Sequence, residues 1–231
     1  MLRAALSLAA AAGLAACGQE TAPAARDERS ALDQPPPIPV MGPRRIILAY
    51  GDSVLAGSGS APGDSYPGML EAALRARGVD ARVVDSGLAG ETSGQALGRL
   101  PETLDGQPVE PEVIVVSIGS NDMLRGVPPA QTRANLARIL SMLRDRGIRV
   151  VLLGVMAAPN LSADFARQFN PIYPTLARQY DAVLVPFFLQ PGAAAADADN
   201  LQGDSLQPIA HGAEELVVAT IDDVIEALPE R

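Results

Sequence analysis

From Arg45 onward, short β-branched apolar runs alternate with longer amphipathic stretches, and few folds accommodate that alternation. It is the pattern of βαβ units wrapped around a parallel sheet. The runs predict strands over 46–50, 81–85, 113–118, 150–155 and 182–186. Helices are expected near 67–77, 93–103, 130–146 and 163–180, the last interrupted by Pro171 and Pro174, with a final helix over about 208–228. Strands built of continuous Val, Ile and Leu have both faces covered. The expected fold is α/β, a three-layer α/β/α sandwich with a five-stranded parallel sheet of the flavodoxin-like kind. At 231 residues and 48% hydrophobic, the chain can bury one substantial core, so one domain is expected.

Ligands of open α/β sheets sit outside the carboxyl ends of the strands. The first apolar run ends in Gly51-Asp52-Ser53, which puts the Ser53 hydroxyl at such an end and makes it a candidate nucleophile. Gly-Asp-Ser recurs at 63–65 and 203–205, so the tripeptide alone carries little. The second copy precedes Tyr66-Pro67 and reads as a helix N-cap, a role that would equally suit Ser53. After strand two, Gly87-Leu88-Ala89-Gly90-Glu91-Thr92-Ser93 forms a glycine-bearing turn into a helix. Its free N–H groups could hold an anion, or the turn could be an ordinary one with Thr92 or Ser93 as cap. After strand three, Asn121 of Gly119-Ser120-Asn121-Asp122 could donate to a developing oxyanion, or the segment could be a turn plus cap.

The ordered set is far more specific than any member: Gly-Asp-Ser after strand one, a glycine turn after strand two, Gly-x-Asn-Asp after strand three, and an Asp-x-x-x-Pro segment before the last helix. In this the chain resembles the SGNH (GDSL) hydrolase superfamily, in its branch of periplasmic thioesterases, lysophospholipases and arylesterases. The likeness spans nearly all of 44–228 and includes Leu-Ala-Gly-Glu-Thr-Ser (88–93), Gly-Ser-Asn-Asp-Met-Leu-Arg-Gly (119–126) and Ile-Tyr-Pro-Thr-Leu-Ala (172–177) leading to Pro186-Phe187-Phe188. The resemblance implies Ser53 as nucleophile and an oxyanion hole made by the N–H groups of Ser53 and Gly90 with the Asn121 side chain. It also implies that Asp204 orients a histidine three residues further on. A serine hydroxyl needs a neighbouring base to take its proton, and the tetrahedral oxyanion needs donors already in place.

Where the family places that histidine, this chain has Gln207. A glutamine amide can hydrogen-bond but cannot accept a proton. Loss of the triad histidine costs on the order of 10⁶ in kcat in the well-studied protease case, while oxyanion hole and binding retain about 10³–10⁴ over water. The chain's one histidine, His211, stands four residues later. If Pro208 opens the helix, His211 lies roughly 6 Å further along its axis and leans back toward the N-terminus. It is a possible substitute base; a solvated first-turn histidine is the alternative. Asp204 is a weak base, with a reference pKa of about 3.9.

The first sixteen residues carry one positive charge, Arg3, followed by an Ala/Leu-rich run too short to span a bilayer, so 1–16 reads as a signal peptide. It ends in Leu14-Ala15-Ala16-Cys17, which resembles the lipobox of bacterial lipoproteins. Cys17, the chain's single cysteine, would then be lipidated and anchor a periplasmic protein to a membrane. Residues 17–43, rich in Ala, Pro and charge, are expected to form a tether, leaving 44–231 as the hydrolase domain. A net charge of −9 repels a phosphate backbone, which argues against nucleic acid as partner. A lone histidine and a lone cysteine supply no metal cluster, and no cofactor fingerprint is present.

The resemblance thus implies a lipid-anchored periplasmic serine esterase, acting on small acyl esters or thioesters through an acyl-Ser53 intermediate and impaired by Gln207. Two alternatives stand beside it: a catalytically degenerate domain that binds an acyl or acetylated ligand, and an O-acetyl esterase of envelope polysaccharide.

Overall fold

The computed structural model describes residues 39–56, 63–189 and 210–230. Its strands are β1 (Met41–Gly51), β2 (Val79–Gly87), β3 (Val113–Ser117), β4 (Arg149–Val155) and β5 (Val183–Leu189). The helices are α1 (Tyr66–Ala76), α2 (Ser93–Asp105), α3 (Ser120–Leu124), α4 (Pro129–Asp145), α5 (Ala163–Phe169), α6 (Ile172–Tyr180) and α7 (Ala210–Ala227). All strand pairs are parallel, in the order β2-β1-β3-β4-β5, so the expected flavodoxin-like sheet is present.

Strand side chains alternate between two cores. Ile47, Ala49, Val113, Val115, Val151 and Leu153 pack against Leu70 and Leu74 of α1 and Val217 and Ile221 of α7. Leu48, Tyr50, Ile114, Val116 and Leu152 pack under Leu100 of α2, Leu140 of α4 and Leu176 of α6. Each buried aliphatic side chain of this kind contributes about 1.5–3 kcal/mol, which is why the sheet tolerates no polar run in its centre.

Several elements differ in extent from expectation. Strand β1 starts at Met41, inside the stretch expected to be tether, and a register shift between Met41 and Arg45 carries it past Pro43, which has no N–H for the ladder. The helix expected over 163–180 divides into α5 and α6 around Pro171, whereas Pro174 is absorbed in the first turn of α6. Helix α2 runs through Pro101 as expected and two residues beyond the expected end, to Asp105, with Leu100 and Leu104 buried. The short helix α3 was not anticipated; its sequence reads as a turn with caps.

The sheet order changes direction at β1, which lies between β2 and β3. Gly51, its last residue, is level with Gly87 on one side and Ser117 on the other, so three strand ends terminate together. A Cβ on Gly51 would stand 2.0 Å from the Ser117 carbonyl oxygen. Gly51→Ala should therefore force β1 and β3 apart, costing about 3 kcal/mol and lowering Tm by roughly 6–12 °C in thermal unfolding. An unchanged Tm would mean that these strand ends are not in close register.

Candidate active site

At the end of β1 the chain makes a tight turn around Asp52. The Asp52 carbonyl accepts from Leu55 N (3.2 Å) and Ala56 N (3.0 Å), and its Oδ1 accepts from Val54 N (3.2 Å), an Asx turn. Val54 and Leu55 are buried in the α1/α7 core and hold the turn down. Ser53 stands at its crest with 6% of its surface exposed. Its N–H meets no acceptor among the described residues.

Strand β3 ends opposite it. Tyr173 donates to the Ile118 carbonyl (2.7 Å), and its hydroxyl lies 2.0 Å from where a Gly119 Cβ would be, so glycine is required there, at φ +124°. Gly119 caps α3, whose first residues are Ser120 and Asn121. Ser120 Oγ donates to Asp52 Oδ2, and Asn121 Nδ2 makes a longer bond of 3.4 Å to the same oxygen. Asn121 retains 8% exposure, and its amide carries a second N–H besides the one facing Asp52.

The third wall is the turn after β2. Leu88 N donates to the Gly51 carbonyl (2.8 Å), and Glu91 N donates to the Leu88 carbonyl (3.1 Å), which makes Gly90 the third residue of a four-residue turn. Its φ of +76° is what a type II turn demands there, and glycine meets that demand without strain. The Gly90 N–H has no acceptor among the described residues. Beneath the turn, Glu91 is buried and paired bidentately with Arg99 (2.7 and 2.6 Å), whose Nη2 also reaches the Ser86 carbonyl (3.0 Å). Thr92 caps α2 through a capping box with Gln95. Asp122, fully buried, accepts from Ser93 N (2.7 Å), Ser93 Oγ (2.5 Å) and Thr132 Oγ1 (3.2 Å), pinning the N-terminus of α2 to α3 and α4.

Ser53, Gly90 and Asn121 thus stand on three loops tied to one another through Asp52 and Gly51. Asp204, Gln207 and Cys17 lie outside the described residues, and His211 is the second residue of α7. The supporting residues Asp52, Ser120, Asp122, Glu91 and Arg99 were not singled out from sequence. The available signal was an aspartate at the end of an apolar strand, a place where burial forces it to find donors.

Residues 49–214 match the family model of GDSL-like lipase/acylhydrolases. Among curated relatives, an arylesterase of Vibrio mimicus is 36% identical over 62% of this chain and 71% of its own. Esterase TesA of Pseudomonas aeruginosa is 35% identical over 71% of this chain and 80% of its own. The solved structure of AlinE4, an SGNH-hydrolase family esterase, superposes with a TM-score of 0.67 at 49% identity, covering 82% of this chain and all of that one.

Burial pushes the Asp52 carboxyl up to about 6; the bonds from Ser120 and Val54 pull the other way, while Glu91 and Asp122 add to the rise. The raised value means that the folded state holds this proton more tightly than the unfolded one does. The resulting stability, on the order of 2–3 kcal/mol, is fully present below about pH 4 and lost as pH rises through 6. Ionisation strengthens the bonds that Asp52 accepts from Ser120 and Asn121, so ester hydrolysis should decline as pH falls through about 6 while Asp52 adds stability. Asp52→Asn should remove both effects. Profiles of kcat/KM and Tm that the substitution leaves unchanged would exonerate Asp52.

Proposed function

The chain belongs to the GDSL-like lipase/acylhydrolase family, and on that premise we propose that it cleaves carboxylic esters and thioesters through an acyl intermediate on Ser53. It is an ester hydrolase of the SGNH class, as its similarity to esterases of 35% and 49% identity attests. The observation that carries the mechanism is the buried Asp52. It shapes the turn that presents Ser53, and it accepts from the side chain of Asn121.

In the proposed reaction, Ser53 Oγ bonds to the acyl carbon and the carbonyl π pair moves onto oxygen. The N–H groups of Ser53 and Gly90, with the second Asn121 amide N–H, stabilise that charge. Collapse restores the carbonyl and breaks the bond to the leaving oxygen or sulfur. Water then attacks the acyl-serine, releases the acid and returns the proton to Ser53.

Gln207 can neither take the serine proton nor return one to a leaving group. The serine proton passes instead to solvent or to His211. A departing alkoxide, whose conjugate acid is about as weak as water, suffers most from the lack of a proton donor. Phenolates and thiolates, with conjugate acids near 10 and 8.5, leave unprotonated. The natural substrates are therefore aryl esters or thioesters rather than alkyl esters. The lipobox-like run ending at Cys17 supports attachment of this activity to a membrane from the periplasmic side.

One sequence observation, Gln207 itself, favours a second reading in which the domain binds an acyl ligand without turnover. Labelling by a fluorophosphonate, together with p-nitrophenyl butyrate hydrolysis, separates the two. Ser53→Ala should abolish labelling and lower kcat, since no acyl-serine can then form; an unlabelled native protein, as slow as the alanine variant, leaves only the binding reading. Gln207→His should raise kcat by about 10²-fold or more, and more for ethyl than for p-nitrophenyl butyrate. Equal gains on both esters would refute the leaving-group argument. If His211 is the acceptor, His211→Ala removes the remaining rate.

A further inference from the structure

We propose that Arg125 is a positioning residue that locks the two loop donors of the oxyanion hole to each other, an inference that rests on the reading of Gly90 and Asn121 as those donors. Arg125 touches both. Its backbone N–H closes α3 by donating to the Asn121 carbonyl (3.0 Å), and its Nη2 donates to the Gly90 carbonyl (2.7 Å). A single side chain therefore bridges the loop after β2 and the helix after β3.

The bridge matters because little else holds the tip of the Gly90 turn. Asp122 and the Glu91–Arg99 pair secure the stretch that follows, from Glu91 into α2, whereas Leu88 and Ala89 are exposed. Gly90 itself is free to leave its φ of +76° at small cost, since glycine has no Cβ to trap it. A guanidinium bond to its carbonyl is charge-assisted and restricts that freedom. The cation also adds positive potential beside the place where negative charge develops. Arg125 is itself exposed, so the bond shows no sign of being needed for the core.

The test uses the full chain and p-nitrophenyl butyrate, with Ser53→Ala as reference. Arg125→Ala should lower kcat about 10–100-fold, since small misplacements of a catalytic group cost up to 10², with KM within about twofold and Tm within about 2 °C. Added guanidinium chloride, at concentrations well below those that denature, should restore part of the rate to Arg125→Ala but not to the native protein, and sodium chloride at equal ionic strength should restore none. Arg125→Lys should fall between, keeping the charge but not the planar fork. Loss of activity in Ser53→Ala with Arg125→Ala at the native rate overturns this role and leaves the esterase reading standing. A raised KM with unchanged kcat assigns Arg125 to substrate binding and also overturns it. Native activity in Ser53→Ala overturns the catalytic reading itself, and the inference with it.

Discussion

A carboxylate with no solvent exposure sits at the point where β1 stops, and the local architecture follows from satisfying it. An ionised group in an apolar setting costs several kcal/mol unless donors converge on it. Asp52 collects Val54 N from its own turn and Ser120 Oγ and Asn121 Nδ2 from the start of α3. Satisfying one charge therefore draws the crest of one loop and the first turn of another helix into a single cluster. The spacing of reactive groups in this cluster is a consequence of electrostatics before it is a matter of catalysis.

A second acidic residue does the same work one layer away. Asp122 takes both donors of Ser93 and the Thr132 hydroxyl, so the N-terminus of α2 is fixed against α3 and α4. With Glu91 held by Arg99, which in turn stacks on Tyr50 at 4.4 Å, the residues flanking the proposed nucleophile and the glycine turn share supports. Three buried carboxylates crowd this region, yet each faces a distinct donor set. Burial raises the proton affinity of Asp52, and repulsion from Glu91 and Asp122 adds to it. Distributing the charges over three strand ends is what allows the donors between them to stay unpaired.

The parallel sheet and its two-faced core were legible in the sequence because short continuous runs of Val, Ile and Leu alternating with amphipathic stretches admit few other arrangements. The positions of Ser53, Gly90 and Asn121 were legible because each follows the carboxyl end of a strand, where a parallel sheet gathers its loops. Supports were harder to see. Ser120, Asp122 and Ser93 are residues that turns and caps use everywhere, and only the tertiary convergence of 29 positions between Ser93 and Asp122 separates a carboxylate anchor from a cap. Pro174 shows the other limit: expected to interrupt a helix, it falls in the first turn of α6, where a missing N–H costs nothing. The break expected at Pro171 is present, beside Asn170, whose Oδ1 accepts from Ala157 N.

On the proposed reading, cradle and base rest on different supports. The proposed donors, two backbone N–H groups and one amide, are flanked by buried carboxylates and a glycine turn at strand ends, so losing those supports would unsettle the sheet. Gln207, which lies outside the described residues, stands on that reading where the family places its proton acceptor. The two contributions are energetically separable: a cradle with binding retains about 10³–10⁴ of acceleration, roughly 4–5.5 kcal/mol, when the triad is gone. On the proposed reading, what remains without a base is a weaker hydrolase that favours bonds whose leaving groups need no proton.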